Sequence, residues 1–143
     1  MPSVLFVCVA NSCRSQMAEG AAKALAKSDW DVWSAGSYPS GRVHPIAVQT
    51  MNELGIDLAG HRSKGLAEIP QRQWDYVVTM GCGDACPSVR ATHRIDWEIP
   101  DPVGLPIEET RKIRDQIVSL VRELMSTEPQ PPGRPPSTLG RPQ

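Results

Sequence analysis

An apolar run of seven residues near the beginning of the sequence leads directly into a loop that carries a cysteine and an arginine. The run covers residues 4–10, and Cys8 lies inside it, six positions before Arg14. A continuously apolar run is typical of a strand buried on both faces of a parallel sheet. Residues 15–27 show helical spacing, and the expected buried stripe is Met17, Ala18, Ala21, Ala22 and Leu25. The junction therefore predicts a strand, a short loop and a helix, which is the local pattern of an α/β fold.

The loop at this junction has a spacing that can bind one tetrahedral anion. Its backbone N–H groups can converge on the anion, and the N-terminus of the following helix adds positive potential. The same field favours the thiolate of Cys8, while the guanidinium of Arg14 can bind two anion oxygens and the hydroxyl of Ser15 can hydrogen-bond the sulfur. We therefore predict Cys8 as a nucleophile. The predicted oxyanion-binding residues are Val9, Ala10, Asn11, Ser12, Cys13 and Arg14. A Walker phosphate loop is excluded, because no glycine occurs before Gly20 and no lysine before Lys23.

A second candidate for chemistry is Asp101, which precedes Pro102 in a proline-rich loop after the last predicted strand. An oxygen that leaves a tetrahedral oxyanion is a poor leaving group unless it is protonated, and a carboxylic acid can supply that proton. Pro102 restricts the backbone conformation of Asp101. We therefore predict Asp101 as the general acid.

Two further cysteines, Cys82 and Cys86, follow the third predicted strand in a segment that contains Gly81 and Gly83. A phosphatase needs one thiol and water, whereas additional thiols allow a transfer of two electrons, because two thiols become one disulfide. On a helix, residues four positions apart have Cβ atoms about 5–6 Å apart, while a disulfide needs about 3.8 Å. We therefore predict redox chemistry at these cysteines, and we expect a helical segment here to unwind when it is oxidised.

Composition limits the possible partners and compartments. The chain has 143 residues and a net charge of −1, without a run of basic residues, so neither nucleic acid nor an anionic membrane is an expected partner. The apolar runs are too short to span a bilayer, and no basic leader with a cleavage site is present. We expect a cytoplasmic monomer with reduced thiols. Neither cysteine pair has the Cys-x2-Cys spacing of a zinc knuckle, so we predict no metal site.

The other predicted elements complete a three-layer α/β sandwich with a four-stranded parallel sheet. Further strands are expected over residues 31–35, 76–80 and 93–97, and further helices from Pro45 to a stop at Gly55 and over residues 107–125. We assign residues 1–126 to one domain. Residues 127–143 contain six prolines and no apolar periodicity, so they are predicted to be a disordered tail. A Pro-x-x-Pro ligand between Pro132 and Pro135 is an alternative interpretation of that tail.

With these motifs in place, residues 3–125 resemble the thioredoxin-coupled arsenate reductases, which share the fold of the low-molecular-weight protein tyrosine phosphatases. The motifs that carry the resemblance are Cys8 to Glu19, Ser34-Ala35-Gly36, the helix from Pro45 with Gly55 to Leu58, Gly60 to Lys64, Cys82 with Cys86, and Asp101-Pro102. The resemblance implies a cysteine nucleophile at Cys8, a supporting role for Ser15 and an acid at Asp101. It also implies a structural role for Cys13 inside the loop.

The resemblance further implies that arsenate is reduced to arsenite through two successive disulfides, for arsenic detoxification. Cys8 pairs with Cys82 in the first disulfide and Cys82 pairs with Cys86 in the second, which thioredoxin then reduces. No bound cofactor is implied, and phosphate or sulfate would compete with arsenate. Some members bind potassium beside residues like Asn11 and Glu19. Here we expect the ammonium group of Lys64 to take the place of that cation.

Two other functions are compatible with parts of the pattern. A phosphatase acting on phosphotyrosine or on small phosphate esters would use the same loop, but such enzymes tend to carry aromatic residues beside the Asp-Pro motif. None occurs between Glu98 and Met125. A non-catalytic oxyanion sensor or a redox-switched binding module would not need an acid at Asp101.

Overall fold

The structure is a computed structural model that describes residues 1–26, 29–81 and 89–126. The predicted relay residues Cys82 and Cys86, as well as the predicted tail over residues 127–143, lie outside the described residues. The described elements, in chain order, are β1 (Ser3–Cys8), α1 (Arg14–Ala26), β2 (Asp31–Gly36), α2 (Pro45–Asn52), a 3-10 helix (Leu66–Glu68), β3 (Trp74–Thr79), β4 (Ala91–Asp96) and α3 (Ile107–Met125).

The four strands form one parallel sheet in the order β2-β1-β3-β4. Cys8 at the end of β1 pairs with Gly36 at the end of β2, and Thr79 at the end of β3 pairs with Asp96 at the end of β4. The carboxyl ends of the strands therefore meet at one edge, where parallel α/β sheets bind their ligands. The predicted four-stranded parallel sheet is confirmed.

β1 lies in the middle of the core, and all of its residues are buried. Val4 and Phe6 point toward the helices α1, α2 and α3, whereas Leu5 and Val7 point toward the opposite face. On that opposite face, Ile69 packs against them from beyond the 3-10 helix. Each buried side chain of this size contributes about 1.5–3 kcal/mol. The strand that ends in Cys8 is therefore a firmly held support.

The first predicted strand is two residues too long. β1 ends at Cys8 rather than at residue 10, because Val9 and Ala10 curve away from the sheet into the loop. Their carbonyl groups accept hydrogen bonds from Tyr38 and Ser40 at 2.7 and 3.0 Å instead of pairing with a strand. Val9 is exposed as a result.

One leucine that was expected in the core is exposed, and the second helix is shorter than predicted. Leu25 is 39% exposed, because the buried stripe of α1 continues through Ala22 to Ala26. Leu54 is exposed because α2 already ends at Asn52, where the chain tightens into a turn that brings Gly55 to a φ of 77°. Other predicted strand boundaries shift by one or two residues, and the helix predicted over residues 107–125 is confirmed.

The described residues include no helix that is long and apolar enough to cross a membrane.

Candidate active site

The loop between β1 and α1 turns its carbonyl groups outward, onto a segment that we call the strap, residues 37–44. Four loop carbonyls accept hydrogen bonds of 2.7–3.2 Å from backbone N–H groups of the strap. The pairs, given as acceptor and donor, are Cys8 and Ser37, Val9 and Tyr38, Ala10 and Ser40, and Ser12 and His44. Within the described part of the chain, the backbone N–H groups of residues 9–13 donate to no other residue. Peptide N–H groups point away from their carbonyls, so these donors face the inside of the loop, as an anion requires.

The sulfur of Cys8 is buried and lies 2.9 Å from the hydroxyl oxygen of Ser15. That oxygen also accepts a hydrogen bond of 2.7 Å from Nδ2 of Asn11, which can only donate. The hydroxyl proton of Ser15 is therefore available for the sulfur. A hydrogen bond from Ser15 to Cys8 stabilises a negative charge on the sulfur.

Asn11 holds the loop in shape. Its φ of 50° lies in the left-handed region, which asparagine tolerates better than most residues, and its side chain is fully buried. Oδ1 accepts from the backbone N–H of Lys64 at 2.9 Å and from Nε2 of Gln16 at 3.0 Å. Nδ2 donates to Ser34 at 3.0 Å as well as to Ser15. One side chain thus ties the loop to α1, to β2 and to the segment that carries Lys64.

A buried ion network continues behind this asparagine. Ser34 donates to Glu19, whose carboxylate also lies 2.6 Å from the amine of Lys23 and 3.6 Å from that of Lys64. Burial alone would raise the pKa of Glu19, but the hydrogen bonds from Lys23 and Ser34 and the charge of Lys64 bring it below 4.5. Burial also lowers the pKa of Lys64, against the opposing effect of Glu19. The carboxylate beneath the loop is therefore compensated by ammonium groups of the chain itself.

No group of three or more His, Cys, Asp or Glu side chains that could hold a metal occurs among the described residues.

Arg14 and Asp101 meet at the mouth of the loop. Nη1 of Arg14 donates to the carbonyl of Ile99 at 3.1 Å, and Nη2 lies 3.9 Å from Oδ2 of Asp101. The other carboxylate oxygen of Asp101 accepts from the backbone N–H of Val103 at 3.1 Å, and the Asp101 side chain is 58% exposed. Pro102 is buried and anchors this turn. The carboxylate is thus presented to the solvent side of the site, where a departing oxygen would need a proton.

Cys13 differs from Cys8 in its surroundings. Burial, together with the nearby Asp101 and Cys8, raises the pKa of Cys13 from 9.0 to about 12. The thiol therefore stays protonated near neutral pH, and a protonated thiol is a poor nucleophile.

Residues that support the loop from outside had no role predicted from the sequence, although two of them lie in motifs that carry the family resemblance. Gly36 is one of them, because a Cβ atom there would lie 2.6 Å from the carbonyl oxygen of Val9 and 2.9 Å from the nitrogen of Asn11. Ser63 is another, since its hydroxyl accepts from the N–H of Gly41 and donates to the carbonyl of Ala10. The sequence signals for this support were the motifs Ser34-Ala35-Gly36 and Gly60 to Lys64, but neither motif by itself indicates a contact with the loop.

The strap also carries Tyr38, a residue that is 81% exposed. Its backbone N–H is bonded to the carbonyl of Val9, so this tyrosine lies beside the loop. The strap beside the loop therefore carries an exposed aromatic residue, although none occurs between Glu98 and Met125.

Comparison with known proteins agrees with this architecture. Residues 3–130 match the family described as low molecular weight phosphotyrosine protein phosphatase. The chain belongs to this family. It is 41% identical over 129 residues to a glutaredoxin arsenate reductase of Synechocystis sp., which covers 88% of this chain and 98% of that protein. The predicted fold family is confirmed.

Solved structures in the same family are also similar to this chain. An arsenate reductase in the phosphate binding state has a TM-score of 0.81 and 40% identity, and the match covers 88% of this chain and 98% of that one. The thioredoxin-dependent arsenate reductase of Corynebacterium glutamicum has a TM-score of 0.74 and 36% identity, covering 88% of this chain and 61% of that one. The Synechocystis and Corynebacterium relatives are both named arsenate reductases, but the first name gives glutaredoxin and the second gives thioredoxin.

Proposed function

We propose that this chain reduces arsenate to arsenite, with Cys8 as the nucleophile. The observation that carries the proposal is the convergence of Cys8, Arg14 and Asp101 on one loop whose backbone donors face inward. The loop has backbone donors for a single tetrahedral oxyanion, and relatives that are about 40% identical over most of the chain are named arsenate reductases.

In the first step, the sulfur of Cys8 attacks arsenic, and one arsenic–oxygen bond breaks. Asp101 protonates the oxygen, which leaves as water, and arsenic remains bound to the sulfur. Arg14 and the loop N–H groups stabilise the charge on the remaining oxygens. The hydrogen bond from Ser15, supported by the distance of 2.9 Å, stabilises negative charge on the attacking sulfur.

In the second step, the sulfur of Cys82 attacks the sulfur of Cys8. The sulfur–arsenic bond breaks and its electron pair stays on arsenic, so arsenite leaves and a Cys8–Cys82 disulfide remains. The two thiols lose two electrons and As(V) gains two. Cys86 then attacks Cys82, which frees Cys8 and leaves a Cys82–Cys86 disulfide. Gly81, the residue before Cys82, lies against the guanidinium of Arg14, and this proximity supports a relay that starts beside the loop.

We propose thioredoxin as the reductant of the Cys82–Cys86 disulfide. The thioredoxin-dependent relative of Corynebacterium glutamicum supports this choice, while the glutaredoxin-linked relative of Synechocystis defines the competing one. The test is arsenate-dependent oxidation of NADPH, with thioredoxin and its reductase in one assay and glutaredoxin, glutathione and its reductase in the other. Turnover only in the second assay would reassign the reductant while leaving arsenate reduction in place.

Cysteine variants test the order of the relay. Cys8→Ser should abolish turnover, whereas Cys13→Ala should keep it if the variant folds, because the buried Cys13 thiol has no part in the electron transfer. Cys86→Ser should release about one arsenite per enzyme and stall as a Cys8–Cys82 disulfide, visible by mass spectrometry. Cys82→Ser should release little arsenite. Sustained thioredoxin-driven turnover by Cys86→Ser would refute the relay.

A phosphatase reaction on the same loop is the second candidate, and the exposed ring of Tyr38 favours it. An aromatic ring beside the anion loop can stack on the aryl group of a phosphate ester. The test compares hydrolysis of p-nitrophenyl phosphate with arsenate turnover in the wild type and in Tyr38→Ala. Phosphate ester hydrolysis would be the principal activity if it is faster than arsenate turnover in the wild type and if Tyr38→Ala slows only the hydrolysis.

A further inference from the structure

The guanidinium group of Arg14 is held between two segments that come from different strands. On one side, Nη1 donates to the carbonyl of Ile99, which lies beyond β4, at 3.1 Å. On the other side lies Gly81, which follows β3. The side chain of Arg14 is only 11% exposed, although it carries a charge at the mouth of a site.

Gly81 lies close to three atoms of the guanidinium group of Arg14. A Cβ atom at this position would lie 2.6 Å from Nη1, 3.4 Å from Cζ and 3.7 Å from Nη2 of Arg14. The backbone of Gly81 also has a φ of 85°, in the left-handed region that residues with a side chain rarely adopt. The close approach to Arg14 and the positive φ each favour glycine at position 81, but only the close approach involves Arg14.

We propose that Gly81 is a positioning residue for oxyanion binding: its bare backbone provides the surface against which Arg14 lies, so that the guanidinium fork faces the loop. A side chain at position 81 would occupy the place of Nη1. The fork would then turn, and it could no longer direct two N–H groups at the same anion.

The physical consequence is a loss of binding that exceeds the loss of stability. The atoms that a Cβ would meet belong to the far end of a flexible side chain, so Arg14 can move aside without disturbing the sheet. What remains as a cost to the fold is the backbone conformation at a positive φ. Gly55 offers a matched control, because its φ is 77° and a Cβ there would have nothing within 4 Å.

The experiment compares Gly81→Ala with Gly55→Ala in the full chain, using inorganic phosphate as the probe. Phosphate bound in the loop should protect Cys8 from alkylation by iodoacetamide, and mass spectrometry of the Cys8 peptide gives the phosphate concentration for half protection. Loss of one charge-assisted hydrogen bond should raise this concentration about tenfold or more in Gly81→Ala. Gly55→Ala should bind phosphate like the wild type, and both variants should lose similar thermal stability.

A double variant separates positioning from a general disturbance. In the Arg14→Ala background, Gly81→Ala should produce no further loss of phosphate protection. If Gly81→Ala alone fails to fold, then Arg14→Ala/Gly81→Ala should recover an unfolding transition like that of Gly55→Ala, because the displaced group is gone. Equal effects of Gly81→Ala with and without Arg14 would overturn the proposal, and so would a double variant that stays unfolded.

The inference rests on the proposed role of Arg14 in oxyanion binding, and the two can fail separately. If phosphate does not protect Cys8 in the wild-type protein, then the anion loop itself is refuted, and this inference with it. If phosphate protects the wild type and Gly81→Ala equally, then only the role of Gly81 is refuted, whatever oxyanion the enzyme uses.

Discussion

Replacement of Asn11 by alanine should damage both the stability of the fold and the binding of oxyanions. The side chain makes four hydrogen bonds, to Ser15, Ser34, Gln16 and the backbone N–H of Lys64, at distances of 2.7–3.0 Å. Alanine would remove all four from a fully buried position and would also have to adopt a φ of 50°.

The size of the stability loss depends on which hydrogen bonds the partners of Asn11 keep in the variant. Nε2 of Gln16 still donates to the carbonyl of Arg62, and the hydroxyls of Ser15 and Ser34 keep Cys8 and Glu19 as partners. The backbone N–H of Lys64 loses its acceptor, and an orphaned buried donor costs about 1–3 kcal/mol. Adding about 0.5–1 kcal/mol for each of the other three bonds, we expect the free energy of unfolding to fall by about 2.5–6 kcal/mol.

Urea denaturation followed by tryptophan fluorescence measures this change, and protection of Cys8 by phosphate measures the binding. The matched control is Asn52→Ala at the exposed end of α2, which should change the free energy of unfolding by less than about 0.5 kcal/mol. If Asn11→Ala loses no more stability than this control and binds phosphate normally, then neither the fold nor the loop depends on the hydrogen bonds of Asn11.

Three other predictions concern the support of the loop. Gly36→Ala should lose about 1–3 kcal/mol of stability together with phosphate binding, because its Cβ would meet loop backbone, whereas Gly60→Ala, with open space around it, should do neither in the same two assays. Lys64→Met should destabilise the protein by about 3 kcal/mol at pH 7. This loss should become smaller as the pH falls below 4.5, because the pKa of Glu19 is lowered in the folded protein and the carboxylate that Lys64 compensates becomes protonated as the pH falls through it. Urea denaturation at several pH values measures the loss, and a loss that does not change with pH would contradict the prediction. The pKa of Cys13 is raised, so its contribution to stability should be present below pH 9.0 and be lost as the pH rises toward about 12; rapid alkylation of Cys13 in the native protein at pH 9.0 would contradict this.

The sequence by itself determined the features that depend on neighbouring residues. The apolar run before Cys8 specified a buried strand, and the helical period over residues 107–125 located α3 with its observed boundaries. The spacing of Cys8, Arg14 and Ser15 already placed a sulfur, a hydroxyl and a guanidinium around one loop, because a strand, a short loop and a helix in succession leave the chain few alternatives. Periodicity is a local property, so a single sequence displays it.

The tertiary structure alone decided which distant segments complete the site. The strand before the loop ends at Cys8 because the carbonyl groups of the next residues bond to the strap, about 30 positions further along the chain. Gly81 supports Arg14 only after the parallel sheet has brought the carboxyl ends of its strands together. Lys64 was already expected in the place of a cation, but its distance of 3.6 Å from Glu19 is set by the packing of its segment beside β2. The sequence of a loop has no hydrophobic period, so it does not indicate which residues the loop will contact. The hydrogen bonds of a loop depend on the segment that packs beside it, which is fixed when the core assembles.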